Sequence, residues 1–310
     1  MPVDTQSIDT PTRRLLDWYD STARELPWRA PPGAGRPDPY RVWLSEIMLQ
    51  QTTTAAAGPY FERFVALWPT VEALAAADEA DVMREWAGLG YYARARNLCA
   101  AARAVASAGA FPETAAGLRT LPGVGPYTAA AIAAIAFGEP AAVIDANIER
   151  VTSRLFALPD ALPAGRPALE AALRPLVPHD RPGDFAQALM DLGATLCTPR
   201  SPRCLLCPLA DGCRARSMGQ AEAFPVKAPK RPRPLKRGAA WWIEHEGDVA
   251  LVRRPPRGLL GGMLALPSSA WGVDTEAEPP FAAEWRQLPE PVRHGFTHFE
   301  LELTVQIART

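Results

Sequence analysis

Apolar residues recur three and four apart through most of the first 226 positions: Leu15, Leu16 and Tyr19; Trp43, Ile47 and Met48; Ile148, Val151, Leu155 and Phe156. That spacing gathers them on one face of a helix. Gly and Pro interrupt at short intervals, as at 88–90, 121–125 and 138–140, and strand-type alternation is scarcely present. The pattern predicts an all-α region of about ten short helices. Beyond Gly238 the period changes. Residues 240–243, 248–252 and 299–307 read as strands, and Phe299, Leu301, Leu303, Val305 and Ile307 share one face of the last. The alternation runs to Thr310 without a closing turn, so this β-containing region is expected to continue past the end of the sequence.

Between the two patterns lies a stretch of another kind. Residues 224–237, FPVKAPKRPRPLKR, hold four prolines and six basic residues with no acid. Such density of proline favours an extended polyproline II linker, and its eleven residues at 227–237 would span about 34 Å. The chain of 310 residues fits two or three domains, and a hydrophobic content of 48% supplies real cores. A net charge of −1 means that affinity for nucleic acid must come from local basic patches. No signal peptide is visible at the start, and no apolar run reaches the ~18 residues of a membrane span. A cytoplasmic protein with no membrane partner is the expectation.

Four of the five cysteines fall in one pattern, Cys197-x6-Cys204-x2-Cys207-x5-Cys213. Four thiolates this close can surround one compact inorganic centre. A cubane iron–sulfur cluster suits the uneven, proline-rich spacing. A four-cysteine zinc site is the alternative, although such sites usually pair two C-x2-C knuckles and only one is present. The fifth, Cys99, reads as a small buried hydrophobe in an Ala-rich helix.

Two further features carry chemistry. Leu121-Pro122-Gly123-Val124-Gly125 precedes a strong helix, with Pro126 at its first position and Gly138 at its end. A tight Gly-x-Gly turn frees backbone N–H groups at a helix N-terminus, where a DNA phosphate can be gripped without sequence readout. Twenty residues past Gly125 stands Asp145, at the N-cap of an amphipathic helix. A helix N-terminus favours a carboxylate's negative charge, and a fixed anion there can face a developing cation. Of 33 basic residues only Lys227, Lys230 and Lys236 are lysines, so the first 226 residues hold no amine nucleophile on a side chain.

Taken together, the hairpin, the Asp and the cysteine spacing resemble the iron–sulfur DNA glycosylases of the helix-hairpin-helix class. Residues 42–52 (VWLSEIMLQQT), 26–29 (LPWR), 88–92 (GLGYY) and 125–128 (GPYT) resemble the adenine DNA glycosylase (MutY) branch, over nearly the whole chain from about residue 12. One departure is an insertion at 31–36, which only lengthens a loop. The resemblance implies a mainly α, two-lobed glycosylase with a [4Fe–4S] loop held by Cys197, Cys204, Cys207 and Cys213, followed by a Nudix-like α+β domain. The implied division is 1–36 with 141–226 as the cluster lobe, 37–140 as a six-helix lobe, 227–237 as linker and 238–310 as the Nudix-like domain.

The implied reaction is removal of adenine paired with 8-oxoguanine or guanine in double-stranded DNA, by a monomer. The endonuclease III-like branch carries a lysine two residues past the Gly-Val-Gly turn, where this chain has Tyr127. A hydrolytic, monofunctional glycosylase is therefore expected in place of a Schiff-base lyase; a non-catalytic iron–sulfur DNA-binding protein is the reading from another class. Glu46 is implied as general acid, its apolar setting raising its pKa, and Asp145 as stabiliser of the oxocarbenium-like sugar. Tyr127 and Asn147 are implied to position the reacting groups. Arg24, Trp28, Arg29 and Gln187 are implied to line the base pocket, and Gln187 stands where other members have glutamate. Gln51 and Tyr91 are the implied intercalating residues, with Gly123, Val124 and Gly125 on the phosphates. In the C-terminal part, residues 254–262 and Phe296-Thr297-His298 resemble a Nudix-like domain that lacks the acidic metal-binding box. Phe296, Thr297 and His298 are implied to read 8-oxoguanine.

Overall fold

In the computed structural model, residues 10–229, 232–255, 258–273, 277–296 and 298–310 are described. The chain divides into two compact units, Met1–Ala228 and Pro229–Thr310.

The first unit is helical. Its helices are α1 (Pro11–Thr22), α2 (Pro39–Met48), α3 (Thr54–Leu67), α4 (Val71–Ala76), α5 (Glu79–Glu85), α6 (Ala93–Ala108), α7 (Ala115–Leu118), α8 (Pro126–Ile132), α9 (Ala146–Phe156), α10 (Arg166–Leu173), α11 (Pro182–Thr195) and α12 (Arg214–Ser217). Side-chain caps start many of them: Thr10 accepts from Arg13 N, Asp38 from Tyr40 N, Thr53 from Ala56 N and Asp145 from Ile148 N. Each satisfies an amide that the first turn leaves without a partner. Proline at the first position opens α1, α2 and α8. The α8 helix runs on into a π-helical turn, Ala133–Phe137, which ends at Gly138 with φ 72°. Apolar spacing does not distinguish that turn from α-helix.

Two cores form. Trp43, Phe61, Phe64, Trp86 and Leu98 centre the first, with Cys99 buried in it, and Leu15, Tyr19, Ile148, Val151, Phe185 and Leu192 centre the second. Segment 126–137 serves both, burying Ala129 and Ile132 in the first core and Ala131 and Ala134 in the second. Its small side chains let α11 approach closely: a Cβ on Gly183 would lie 2.7 Å from Ile135 Cα. The inserted loop packs back as well, with Gly33 N donating to Asp184 Oδ2 at 3.3 Å. Among the described residues no helix is long and apolar enough to cross a membrane.

The second unit is built on β1 (Leu235–His245), β2 (Asp248–Val249), β3 (Val252–Arg253), β4 (Leu264–Ala265), β5 (Arg286–Gln287), β6 (Val292–Gly295) and β7 (Glu300–Arg309). Its main sheet pairs β1 with β7 in parallel, Leu235 opposite Glu300, and β5 and β6 antiparallel to β7. The stretch expected as one strand at 248–252 is broken into β2 and the start of β3, which pairs with β4 in a separate two-stranded sheet. Residues 226–228, at the start of the basic stretch, are held by backbone hydrogen bonds that proline density does not predict. Leu162 N donates to Val226 O and Ala228 N donates to Leu162 O. After Pro234, the last proline, residues 235–237 recover the amides that a strand needs and join β1.

Candidate active site

Glu46 lies on α2, which is buried almost all round, and its residue is only 6% exposed. Burial pushes its carboxyl up to about 7; the hydrogen bond with Tyr127 opposes the rise, and the charge of Asp145 adds to it. One oxygen, Oε2, is buried without a hydrogen-bond partner. Tyr127, in the first turn of α8, is pushed up by its own burial and by Glu46. Asp145 caps α9: Oδ1 accepts from Ile148 N at 2.6 Å and Oδ2 accepts from Asn147 Nδ2 at 2.9 Å. Glu46 and Asp145, 99 residues apart in sequence, thus line one cavity of about 260 Å³ where the two cores meet. Such a volume suits a single base. Arg24, Trp28, Arg29, Tyr127, Asn147 and Gln187 line the same cavity, and among the described residues no lysine does.

The remaining predicted residues lie apart from the cavity wall. Gln51 and Tyr91 are exposed on two turns and both have left-handed backbone, φ 59° and 48°. The Gly123–Gly125 turn caps α8, and the Gly123 carbonyl accepts from Gln50 Nε2 at 3.4 Å. In the second unit, the ring of Phe296 lies 4.8 Å from that of Phe299 and 6.4 Å from that of Trp271. His298 is exposed, and Thr297 lies outside the described residues.

Sequence reasoning missed three groups here. Asp191, fully buried on α11, accepts from Arg29 Nη1 at 2.7 Å and Nη2 at 2.9 Å, and from Arg24 Nε at 2.6 Å and N at 3.0 Å. It anchors both pocket arginines, and Arg29 and Arg24 in turn hold its carboxyl below the usual range against the effect of burial. An acid inside so apolar a run, one turn past Gln187, was a legible signal. Arg150 and Arg154 are the other two. On α9, Arg150 donates to Asn147 Oδ1 (2.9 Å), Gly193 O (2.6 Å) and Cys197 O (2.7 Å). Arg154, 2% exposed, donates to Thr198 O (2.7 Å), Pro199 O (3.0 Å), Phe224 O (3.1 Å) and Cys197 Sγ (3.3 Å). One helix therefore carries Asp145 at its cap and fastens the cysteine loop along its length.

All four loop cysteines line a second, small cavity of about 30 Å³. Burial, reinforced by the neighbouring cysteines, pushes the Cys207 thiol up to about 11 despite an opposing backbone hydrogen bond. A bound cation would displace the proton of such a thiol. Four soft donors around a shared space fit a polynuclear iron–sulfur cluster.

Comparison with known proteins agrees with this geometry. The model for the HhH-GPD superfamily of base excision DNA repair proteins matches residues 44–178. The iron–sulfur binding domain of endonuclease III matches 197–213, and the NUDIX domain matches 238–310. Adenine DNA glycosylase from Homo sapiens is 36% identical, covering 94% of this chain and 65% of its own length. The Mycobacterium tuberculosis protein of that name is 41% identical over 73% of this chain and 72% of its own. The chain spans less than two thirds of the human protein and 46% of the Arabidopsis thaliana one. Among solved structures, a thermostable thymine-DNA glycosylase aligns with TM-score 0.60 and 31% identity, over 67% of this chain and 95% of that one. A trapped endonuclease III–DNA covalent intermediate shares the fold, with TM-score 0.55 and 23% identity, over 67% of this chain and 94% of that one. With four-tenths of its residues shared over most of the mycobacterial relative, and with the HhH-GPD, iron–sulfur and NUDIX segments in order, the chain belongs to the adenine DNA glycosylase family.

Proposed function

We propose that this protein is a monofunctional DNA glycosylase that hydrolyses the N-glycosidic bond of adenine mispaired with 8-oxoguanine or guanine in duplex DNA. The observation that carries the reading is the meeting of Glu46 and Asp145 at one cavity without a lysine. Adenine leaves poorly until a ring nitrogen is protonated. A carboxyl held near 7 keeps an acid form available at neutral pH. Glu46 delivers that proton to N7 and then assists water, and Tyr127 orients it. As the bond breaks the sugar gains positive charge, and Asp145, fixed by Ile148 N and Asn147, faces that charge. Water completes the reaction because no amine is at hand to form a Schiff base.

Cys197, Cys204, Cys207 and Cys213 would hold a [4Fe–4S] cluster through their thiolates, and the bound cluster would tie the loop together. The base reaches the cavity by extrusion from the duplex, with Gln51 and Tyr91 entering the stack. Gly123, Val124 and Gly125 hold a phosphate, and Phe296, Thr297 and His298 of the second unit read the opposite 8-oxoguanine. The protein acts as a monomer in the cytoplasm.

The test uses the purified protein on duplexes holding 8-oxoguanine·adenine, guanine·adenine and guanine·thymine. Strand breaks are expected on the first two, only after alkali, and lost in Glu46→Gln and Asp145→Asn. Scission without alkali indicates a lyase. Cleavage of the thymine duplex alone points to the chemistry named for the structural relative, since a pyrimidine offers Glu46 no N7.

A further inference from the structure

Arg94 is a guanidinium only 8% exposed, and its hydrogen bonds go to backbone carbonyls and one hydroxyl, with no carboxylate paired to it among the described residues. A buried cation without a counter-charge costs stability unless carbonyl dipoles satisfy it. Here Nε has no partner, but both Nη groups are satisfied across three segments. Nη1 donates to Ile47 O (3.2 Å) and Met48 O (2.9 Å), at the C-terminal end of the helix that carries Glu46. Nη2 donates to Thr52 Oγ1 (3.3 Å), beside Gln51, and to Leu89 O (2.8 Å) and Gly90 O (3.3 Å), just before Tyr91. The guanidinium also lies 5.7 Å from the Tyr91 ring centre and 5.2 Å from that of Trp86, whose Nε1 donates to Gly90 O at 3.1 Å.

The two turns so joined are unusual. Non-glycine residues seldom adopt left-handed backbone, yet Gln51 and Tyr91 both do, and Tyr91 follows two further positive-φ positions, Gly88 (φ 104°) and Gly90 (φ 69°). Tyr91 remains 58% exposed. Strain of this kind persists only where neighbouring structure imposes it. A single planar fork bonded to both turns and to the end of α2 is such an imposition, and its fixed geometry is one that lysine lacks.

We infer that Arg94 is a positioning residue that holds Gln51 and Tyr91 at a set height beside the base cavity, so that both enter the duplex together and drive extrusion of the target base. The inference rests on the wedge role proposed above. Arg94 touches neither DNA nor base; it acts through the two turns, before proton transfer by Glu46.

The test uses the full chain and a duplex with 2-aminopurine opposite 8-oxoguanine, whose fluorescence rises on unstacking. Arg94→Lys and Arg94→Gln are expected to lower the extruded fraction about tenfold, since small misplacements near a reacting centre carry losses of that order or more. Single-turnover excision of adenine should fall by the same factor, with the apparent pKa of the rate unchanged. Gly90→Ala adds no clash but disfavours the left-handed turn, and should give a smaller loss of the same kind; it decides the matter if neither arginine variant folds. Extrusion at the wild-type level in the variants overturns the inference. So does a rate loss with normal extrusion or a shifted pKa, which would mean that Arg94 serves only the Glu46 helix. A wild-type protein that extrudes the probe but leaves adenine in place refutes the proposed reaction and spares the wedge brace; one that leaves the probe stacked refutes both.

Discussion

At the residue scale the site sets reactivity against stability. A carboxyl raised from 4.5 to about 7 by burial prefers its proton in the folded state. The stability that this preference contributes is fully present below pH 4.5 and is lost as pH rises through about 7. At pH 9 the wild-type protein therefore carries a buried anion at a cost of about 3 kcal/mol at most. Glu46→Gln removes that cost. Its thermal midpoint should exceed that of wild type at pH 9 and converge with it toward pH 4, while its excision activity is lost. Excision by the wild type should decline above about pH 7, as the acid form empties. A midpoint difference independent of pH would mean that Glu46 titrates normally. Glu46 and Asp145 were legible because each sits in a block of characteristic residues. Arg94, Arg150 and Arg154 were not, because their partners are backbone carbonyls or side chains that approach only after folding. A helical arginine is ordinarily exposed, and spacing alone gives no sign that one is buried.

At the element scale the cavity depends on how closely helices approach. The α9 and α11 helices meet where a Cβ on Gly193 would lie 2.6 Å from Asn147 Cβ and 3.1 Å from its Cα. Backbone is in the way, so the clash cannot be relieved by a rotamer change. Gly193→Ala must push α9 outward and carry Asn147 and the Asp145 cap with it. A loss of ~1–3 kcal/mol in stability and about a hundredfold in single-turnover excision is expected. Thermal unfolding and excision rates measured on the same preparation check the two together; a wild-type rate would show that α9 tolerates the shift. Caps and proline starts made the helices of this region readable, since each signal is local: Asp145 accepts from an amide three residues on. The π-helical turn at Ala133–Phe137 was not readable, because it differs from α-helix only in which carbonyl each amide finds. Nor was the parallel pairing of β1 with β7, whose 65-residue register offset no alternation pattern encodes.

At the scale of the whole molecule, the residues proposed for the chemistry and those proposed for mispair choice fall in separate units. Both cores of the first unit close within residues up to 228, and every residue lining the candidate cavity belongs to it. The residues proposed to read 8-oxoguanine belong to the second unit, which has its own sheet. A chain ending at Ala228 should therefore fold, retain its four cluster cysteines and still remove adenine. What it should lose is discrimination. With the opposite base read by contacts worth ~1–3 kcal/mol, its preference for 8-oxoguanine·adenine over guanine·adenine should fall by about tenfold or more. Binding should weaken too, with a shallower salt dependence, because six basic residues of the 224–237 stretch are reduced to Lys227. Single-turnover rates on the two mispairs, and binding titrated at two salt concentrations, separate these effects. An unchanged ratio of rates would assign mispair choice to the helical unit, where the pocket arginines and the wedge turns would have to sense the opposite base through the geometry of the extruded adenine alone.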